Sequence, residues 1–453
     1  MTRSERLSLI VQLSIPSILA QISATVMFFI DAAMVGHLGE RATAAIGLVE
    51  STTWLVGGLL SAVSMGFSVQ VAHFIGASDF ASARRVLRQA LFCCVLWSLL
   101  IMSLCVVIHW QLPFWLGGSA DIAGDASLYF LVFGLGVPFF QLEGLCGSML
   151  KCSGNMKIPS MLNILMCVLD VIFNFFFIYI LHMGVLGAAL GSFTAFFITA
   201  FLMAWFLLVR SDMLGIFKWR VEKGEQREKN SFLPQSETVK TAFKIGAPMG
   251  VQHLLMGGAQ IVSTIIVAPL GTIAIAANSL AITVESLCYM PGYGIAEAAT
   301  TLVGQSIGAG QSLMTRSFAR MSVGLGIAVM TLMGLLMFVF APELMTIMTP
   351  VDAIIAQGAQ ALRIEAFAEP MFAAAIVCNG VFIGAGDTLI PAAMSLFSMW
   401  AVRLTLAASL APRYGLKGVW VAMAIELTFR GLIFLFRLFR GRWQEKIISR
   451  KTN

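Results

Sequence analysis

Two aspartates lie inside long apolar runs of the chain, where an ionisable side chain is costly to bury. Asp31 occurs in VMFFIDAAMVG, and Asp170 occurs in CVLDVIFNFFF. If these runs cross a membrane, each acid is by default a functional candidate. Two such carboxylates across a small gap would share one proton or hold one Na⁺. The alternative interpretation of each aspartate is a hydrogen-bonded cross-link between helices.

Further polar residues accompany these aspartates at helical distances. Asn163, Asp170 and Asn174 are spaced at i, i+7 and i+11, which places them on one helix face. We expect that face to line a polar cavity. Pro16 precedes Asp31 on the same apolar segment. Because proline removes one backbone hydrogen bond, we expect Pro16 to bend the helix that carries Asp31.

Other acids and amides interrupt the apolar runs and are predicted to line a substrate cavity. These residues are Gln21, Glu50, Gln141, Glu143, Gln252, Glu285, Glu365 and Glu369. Glu285, Glu365 and Glu369 are the candidates for contact with a cationic substrate. Glu426 and Arg430 are spaced at i, i+4 and are predicted to neutralise each other, with Arg403 nearby.

The chain lacks the motifs of several enzyme classes. It contains no HExxH, no paired histidines and no P-loop, so neither a metal enzyme nor an ATPase is indicated. The eight cysteines form no CxxC pair, and nearly all fall in apolar runs, which predicts reduced, buried thiols. We therefore expect no catalytic residue, no cofactor and no firm metal site, apart from Na⁺ as an alternative occupant at Asp31 and Asp170.

The elements that position these residues are hydrophobic helices. Of the 453 residues, 58% are hydrophobic and 11% are charged, and the mean hydropathy is +0.88. This composition excludes an ordinary soluble enzyme and a disordered chain, and it predicts an all-α integral membrane protein. Twelve spans are predicted, at about 8–36, 43–75, 86–110, 124–150, 157–180, 185–210, 241–268, 273–307, 317–341, 353–384, 389–411 and 416–440. No cleaved signal peptide is indicated.

Basic residues alternate between the connections, which predicts the orientation of the chain. The connections opposite to the termini hold only Arg41, Arg413 and Lys417. Most other basic residues lie in the termini and in every second connection, including Lys218, Arg220, Lys223, Arg227 and Lys229 of the long polar stretch 211–240. The excess of positive charge inside predicts that both termini face the cytoplasm of a cell (inner) membrane. It also accounts for the net charge of +6 through topology and contact with anionic lipid headgroups, with no nucleic-acid partner.

The chain repeats itself at an offset of 232 residues. The offset pairs Pro16 with Pro248, Gly39 with Gly271, Gly76 with Gly308, Pro138 with Pro370, Gly154 with Gly386, and Pro159 with Pro391. The repeat predicts two parallel six-helix lobes, 1–210 and 241–453, related by pseudo-two-fold symmetry and joined by a cytoplasmic linker, 211–240. Two such lobes facing a central cavity are typical of an alternating-access carrier.

The acid pair does not follow the repeat. At the same offset Asp31 corresponds to Ser263, and Asp170 falls near Ala401 or Val402. The pair is therefore predicted to couple transport in the first lobe only.

Several stretches together resemble the MATE family (multidrug and toxic compound extrusion). They are DAAMVGHLG (31–39), FSVQVAHFIGA (67–77), LDVIFN (169–174), GVLGAALGS (184–192) and FIGAGDTLIP (382–391). The resemblance covers essentially the whole chain and implies antiport, the export of organic, often cationic, drugs or metabolites driven by inward H⁺ or Na⁺.

Within that family, the chain looks more like the DinF-like branch. The resemblance implies a first-lobe cation site of Pro16, Asp31 and Asp170, with Ser192 where a threonine often stands. Met166 stands where an asparagine is expected, and the stretch 251–260 lacks the acid of the NorM-like branch. Hard cations require several oxygen ligands, so these departures favour H⁺ over Na⁺.

Two rival functions remain open at this point. A lipid-linked oligosaccharide flippase of the same superfamily would have a larger cationic cavity. Arg403 is the only residue of the sequence that supports such a cavity. A membrane-embedded lipid-modifying enzyme would require converging catalytic groups, which the sequence does not contain. The sequence does not specify the substrate beyond a small organic compound, and without a dimer motif we expect a monomer.

Overall fold

The computed structural model describes residues 2–216, 232–441 and 443, and all regular secondary structure in those ranges is helical. The helices of the first half are α1 (Arg3–Gly36), α2 (Glu40–Gly76), α3 (Phe80–Ile108), α4 (Leu112–Trp115), α5 (Ala120–Cys152), α6 (Lys157–Phe175) and α7 (Gly184–Trp205). Those of the second half are α8 (Ser236–Val267), α9 (Thr272–Gly308), α10 (Ser312–Val339), α11 (Ala341–Met348), α12 (Asp352–Ala366), α13 (Glu369–Gly384), α14 (Leu389–Phe397), α15 (Leu404–Tyr414) and α16 (Leu416–Arg440). Helices α6, α7 and α14 continue as π-helical segments at Phe176–Ile180, Phe206–Arg210 and Ser398–Arg403.

The helices are long and apolar enough to cross a membrane. Within the described ranges, eleven helical spans meet this condition, and α12 with α13 forms a twelfth that is bent by 60°. The prediction of an all-α membrane protein is confirmed. The predicted span 353–384 differs from the structure, because it is broken between Ala366 and Glu369. Pro370 lies in the first turn of α13 and has no N–H to donate to the preceding turn, which explains the break.

The contacts divide the chain into two compact units. The first, here called the N-unit, is Ser23–Gly250, and the second, the C-unit, combines Met1–Ile22 with Val251–Asn453. These units are not the sequence lobes 1–210 and 241–453, which were defined from the repeat and not from contacts. Each unit takes up part of a helix from the other half of the chain, since α1 divides after Ile22 and α8 divides after Gly250.

In the N-unit, α5 is central and packs against α2, α3 and α7, while α6 packs against α7. The core contains Phe67, Leu87, Met149 and Met203, and it includes Ala242 of α8. Helix α8 approaches α2 closely, because a Cβ added at Gly246 would lie 2.6 Å from the Ala62 carbonyl oxygen. Such an approach requires glycine and fixes the first part of α8 in this unit.

In the C-unit, α9, α10, α13 and α16 pack on one another around Phe318, Phe382 and Phe434. Helix α1 contributes Ile10, which is fully buried in this core. A Cβ added at Gly294 would lie 2.7 Å from the backbone nitrogen of Ile18, so α1 meets α9 backbone to backbone.

The repeat is visible in the backbone as well as in the sequence. Gly39 and Gly271, paired by the 232-residue offset, have φ values of 104° and 97° and begin α2 and α9. Gly154 and Gly386 share a positive φ of 89° and 73°. Residues other than glycine rarely adopt this region, so the landmarks recur because the same turns recur.

Part of the charge that predicts the orientation lies outside the described residues. This applies to Lys218, Arg220, Lys223, Arg227 and Lys229 of the linker, and to Arg442, Lys446, Arg450 and Lys451 of the C-terminal tail. The cytoplasmic position of the termini stays a prediction.

Candidate functional site

The two aspartates that stand out in the sequence meet in the N-unit. Asn174 lies one turn after Asp170 on α6, and its Nδ2 donates to Asp170 Oδ2 at 3.1 Å. The same nitrogen donates to Asp31 Oδ1 on α1 at 3.0 Å. Asp170 and Asn174 are buried, and Asp31 is half-buried. The structure therefore brings together three of the predicted residues around one amide nitrogen.

Helix α7 fixes the orientation of this amide. A Cβ added at Gly191 would lie 2.8 Å from the backbone nitrogen of Asn174 and would collide with Asn174 Oδ1. The amide oxygen thus faces Gly191, and the amide nitrogen faces the carboxylates. Ser192, which the resemblance assigns to the cation site, lies beside Asp170. Gly191 was not among the predicted site residues, because a requirement for space leaves no chemical signal in the sequence.

The carboxylates of Asp31 and Asp170 interact directly with each other. In the part of the chain that the structure describes, no lysine or arginine interacts with either of them. Tyr129 on α5 is a further neighbour and was missed by the sequence reasoning. Two close carboxylates, one buried and one half-buried, repel each other when only neutral groups donate to them, so the site favours uptake of one positive charge.

Asn163 does not join this cluster, although it lies on α6. In the amide orientation that satisfies both partners, its nitrogen donates to Glu143 Oε1 at 2.9 Å and to the Pro159 carbonyl at 3.2 Å. The helix spacing places Asn163 and Asp170 on one face, but α5 supplies a different partner two turns away. The expectation that Asn163 and Asp170 share one polar cluster is therefore corrected.

One turn before Asp170 on α6, the residues next to the acid pair are apolar. Met166 is buried with Met27 and Cys167 in a small cluster that also contacts Phe196. No oxygen ligand is supplied from position 166, where the resemblance leads one to expect an asparagine.

The predicted acids of the second half form a cluster in the C-unit. Glu285 on α9, Glu365 on α12 and Glu369 on α13 are all buried. The guanidinium of Arg403 interacts with Glu285, Glu365 and Glu426. Glu365 and Glu369 have no hydrogen-bond partner for their carboxylate oxygens among the described residues.

Glu426 and Arg430 form the predicted ion pair. Arg430 Nη2 lies 2.6 Å from Glu426 Oε1, and the same oxygen accepts a hydrogen bond from Ser398 Oγ at 2.5 Å. Ser398 and Arg403 belong to the π-helical segment Ser398–Arg403. A π-helical turn changes which side chains face a neighbouring helix. The periodicity of the sequence alone therefore did not indicate that Ser398 and Arg403 would both interact with Glu426.

The remaining candidates are dispersed. Gln21 Nε2 donates to Glu297 Oε1 at 3.3 Å in the C-unit, and buried Gln141 donates to Ser64 Oγ at 2.7 Å in the N-unit. Glu50 is exposed, and Gln252 is half-buried. Pro16 lies within α1, in the part of that helix that belongs to the C-unit.

Comparison with known protein families gives two matches to one family. The family model described as MatE matches residues 16–176 and again residues 248–408. The chain belongs to the MatE family. The two matches are displaced by the same 232 residues that separate the glycine and proline landmarks, so they agree with the repeat. MATE proteins are transporters, and the expectation of a transporter rather than an enzyme is confirmed.

Curated relatives match along nearly the whole chain. A probable multidrug resistance protein NorM from Thermotoga maritima is 24% identical over 97% of this chain and 93% of its own length. A protein of the same name from Photorhabdus laumondii is 27% identical over 96% of both chains. Because these relatives carry the name NorM, the assignment to the DinF-like branch rests on the residues alone.

Solved structures show the same fold. The chain matches a mutant of the Vibrio cholerae MATE transporter VcmN with a TM-score of 0.90 and 19% identity, over 98% of this chain and 99% of the other. It matches a MOP superfamily transporter from Pyrococcus furiosus, described as having a binding pocket of reversed polarity, with a TM-score of 0.89 and 20% identity. That match covers 97% of this chain and 96% of the other.

Proposed function

We propose that the chain is a proton-coupled antiporter that exports small organic, often cationic, drugs or metabolites from the cell. The observation that carries this proposal is the pair of half-buried Asp31 and buried Asp170, bridged by Asn174 and without a cationic neighbour among the described residues. The family and the multidrug resistance names of its relatives support export of drug-like compounds. Such a protein would be a multi-pass protein of the inner membrane with both termini in the cytoplasm.

The acid pair takes up one proton from water on the outer side of the membrane. The proton forms an O–H bond to one carboxylate oxygen and removes one of the two negative charges. The new hydroxyl donates to the other carboxylate, while Asn174 keeps its bonds to both. In the alternate conformation the same O–H bond breaks and the proton passes to cytoplasmic water.

Helix α1 connects this proton uptake to the rest of the molecule. Asp31 lies in the segment of α1 that belongs to the N-unit, and Pro16 lies in the segment that belongs to the C-unit. Since Pro16 leaves one backbone hydrogen bond of α1 unmade, α1 can be bent there at low cost when the charge of Asp31 changes. Proton and substrate favour different states of the protein, and exchange follows from the linkage between their binding free energies.

The geometry of the amide favours H⁺ over Na⁺. Asn174 presents its nitrogen to the carboxylates and its oxygen to Gly191, so it does not offer an oxygen ligand to an ion at the pair. Met166 adds a thioether in an apolar cluster. Both features leave few oxygens for a hard cation. We also propose that the chain belongs to the DinF-like branch, on the basis of Pro16, Asp31 and Asp170.

The substrate contacts are proposed from polar groups that are buried or, for Glu143, half-buried. In the N-unit they are Gln141 and Glu143, the second of which is paired with Asn163. In the C-unit they are Glu285, Glu365 and Glu369, whose negative charge suits an organic cation. A flippase for lipid-linked oligosaccharides is less well supported, because Arg403 interacts with three glutamates and does not offer an uncompensated positive charge.

Transport in liposomes tests the proposal. Purified protein is reconstituted, and uptake of a fluorescent organic cation is driven by an imposed H⁺ gradient or, separately, by an imposed Na⁺ gradient. We expect H⁺-driven transport by the natural protein and its loss in Asp31→Asn. Asp125→Asn, an exposed aspartate on α5 of the same unit, is the matched control and should transport normally. Full H⁺-driven transport by Asp31→Asn would refute the role of the pair, and transport driven by Na⁺ alone would refute the choice of ion.

A further inference from the structure

A groove of about 720 Å³ opens on the C-unit. Its walls are formed by α10, α11, α12 and the start of α16. The larger apolar residues of its lining are Phe338, Pro342, Ile355, Ile364 and Phe367, and the polar residues are Gln360, Arg363 and Lys417. Its volume is in the range of ligand sites, and its lining combines apolar walls with two cations.

The two cations lie where membrane-spanning helices end. Lys417 is the second residue of α16, and Phe338 is the last residue but one of α10. Arg363 Nε donates to the Phe338 carbonyl at 3.3 Å, which places the guanidinium at the level of the end of α10. Ends of spanning helices lie near the membrane–water interface, which is the depth of the lipid phosphates. Helix α12, which carries Gln357, Gln360 and Arg363, is also more polar than the neighbouring spans.

Within residues 2–216 and 232–441, neither cation is neutralised by an acidic side chain. In the ranges covered by the structure, no carboxylate forms an ion pair with Arg363 or Lys417, and no acidic side chain lines the groove. The guanidinium of Arg363 lies 5.8 Å from the centre of the Phe338 ring, a contact that leaves its charge uncompensated. Both side chains are exposed. The groove therefore offers positive charge next to apolar surface, at the depth where anionic headgroups meet acyl chains.

We propose that this groove binds an anionic phospholipid of the bilayer. The phosphate is held between Arg363 and Lys417, since guanidinium and ammonium groups are the usual partners of phosphate oxygens. One acyl chain runs along Ile355, Ile364 and Phe367. The apolar walls favour a lipid over free phosphate, and the pair of cations favours an anionic lipid over a zwitterionic one of the same chain length.

The position of the groove connects the lipid to the bent span. Phe367 lines the groove, is 77% exposed and lies in the break between α12 and α13. Two residues to either side of it lie the buried acids Glu365 and Glu369. A lipid that packs on Phe367 therefore stabilises the 60° bend, and its affinity for the bent state shifts the population towards that state.

The test measures lipid retention directly and does not depend on transport. The full-length protein is purified in mild detergent, and the binding of phosphatidylglycerol and of phosphatidylcholine with identical acyl chains is compared by native mass spectrometry. The test variant is Arg363→Gln with Lys417→Gln. The matched control is Arg41→Gln with Arg413→Gln, which removes the same charge from exposed residues that do not line the groove. Inorganic phosphate is added in a separate arm as competitor.

We expect the natural protein to retain phosphatidylglycerol over phosphatidylcholine, and we expect the test variant to lose about tenfold in affinity for the anionic lipid. The control should keep the preference, and phosphate should not displace the lipid. Equal binding of the two lipids to the natural protein, or equal losses in test variant and control, would overturn the proposal. Displacement by phosphate at equimolar concentration would show a simple anion site and would overturn the choice of a lipid. Thermal unfolding of both variants verifies that they are folded.

Discussion

The N-unit and the C-unit share one repeated backbone but bury their acids in different ways. Asp31 and Asp170 of the N-unit face each other with a neutral amide between them. In the C-unit, Glu426 is bound to Arg430, and Arg403 interacts with three glutamates. At the 232-residue offset, Asp31 corresponds to Ser263. The comparison shows that a symmetric frame can carry an asymmetric distribution of charge.

The difference has a physical consequence for function. A buried acid with a fixed cation is neutralised by the protein and has little need of a proton, whereas an uncompensated pair must obtain positive charge from outside. Glu369 is the C-unit acid that most resembles the pair, because its carboxylate has no hydrogen-bond partner in the described ranges. Neutralising Glu369 is therefore the best control for neutralising a member of the acid pair.

The largest expected effect on stability comes from breaking the ion pair of the C-unit. Glu426→Gln removes the negative charge that neutralises Arg430. It also removes one of the three glutamate charges that interact with Arg403. An uncompensated buried charge costs about 3–5 kcal/mol, so we expect a strongly lowered melting temperature in detergent. Glu343→Gln, which changes an exposed glutamate on α11 of the same unit, is the control and should melt normally. Equal melting temperatures of the two variants would contradict the structural role of Glu426.

A smaller loss is expected from closing the space beside Asn174. Gly191→Ala places a methyl group against the side chain and backbone of Asn174, and overpacking of this kind costs about 1–3 kcal/mol. Because the amide of Asn174 would turn or move, we expect a large loss of H⁺-driven transport with only a moderate decrease in melting temperature. Gly144→Ala on α5 introduces the same methyl group into open space and serves as control. Unchanged transport by Gly191→Ala would show that the orientation of the amide is not required.

The smallest effect is expected for an ion pair on the surface of the N-unit. Arg41 Nη2 lies 3.3 Å from Asp121 Oδ2, and both side chains are largely exposed to solvent. Solvent screens such pairs, so Arg41→Gln should leave both the melting temperature and transport unchanged within error. A clear loss of stability would mean that this exposed ion pair contributes as much to stability as a buried one, contrary to our expectation.

Much of the fold could be predicted from the sequence. Apolar runs and glycine or proline punctuation gave spans that overlap all helices assigned to the membrane, since hydrophobic length and turn residues act locally. The repeat was predictable for the same reason, because the paired glycines occupy turns with the same positive φ. The bend after Ala366 was not predicted, although Pro370 supplies a local cause.

The site could be predicted only in part. The types of Asp31, Asp170 and Asn174 indicated a cluster, because polar groups in apolar helices must find each other or water. The partner of Asn163 could not be deduced, since it comes from α5 and not from the helix that carries Asn163. The roles of Gly191, Ser398 and Arg403 depend on interhelical distance and on a π-helical turn, which single-helix periodicity does not describe.

One measurement tests most directly whether proton coupling belongs to the N-unit. Asp170→Asn and Glu369→Gln each neutralise one fully buried acid, and the two variants are compared in liposomes with an imposed H⁺ gradient. We expect that Asp170→Asn loses gradient-driven transport, whereas Glu369→Gln keeps its dependence on the gradient and changes only its KM for a cationic substrate. Loss of gradient dependence in Glu369→Gln, together with its retention in Asp170→Asn, would contradict the account.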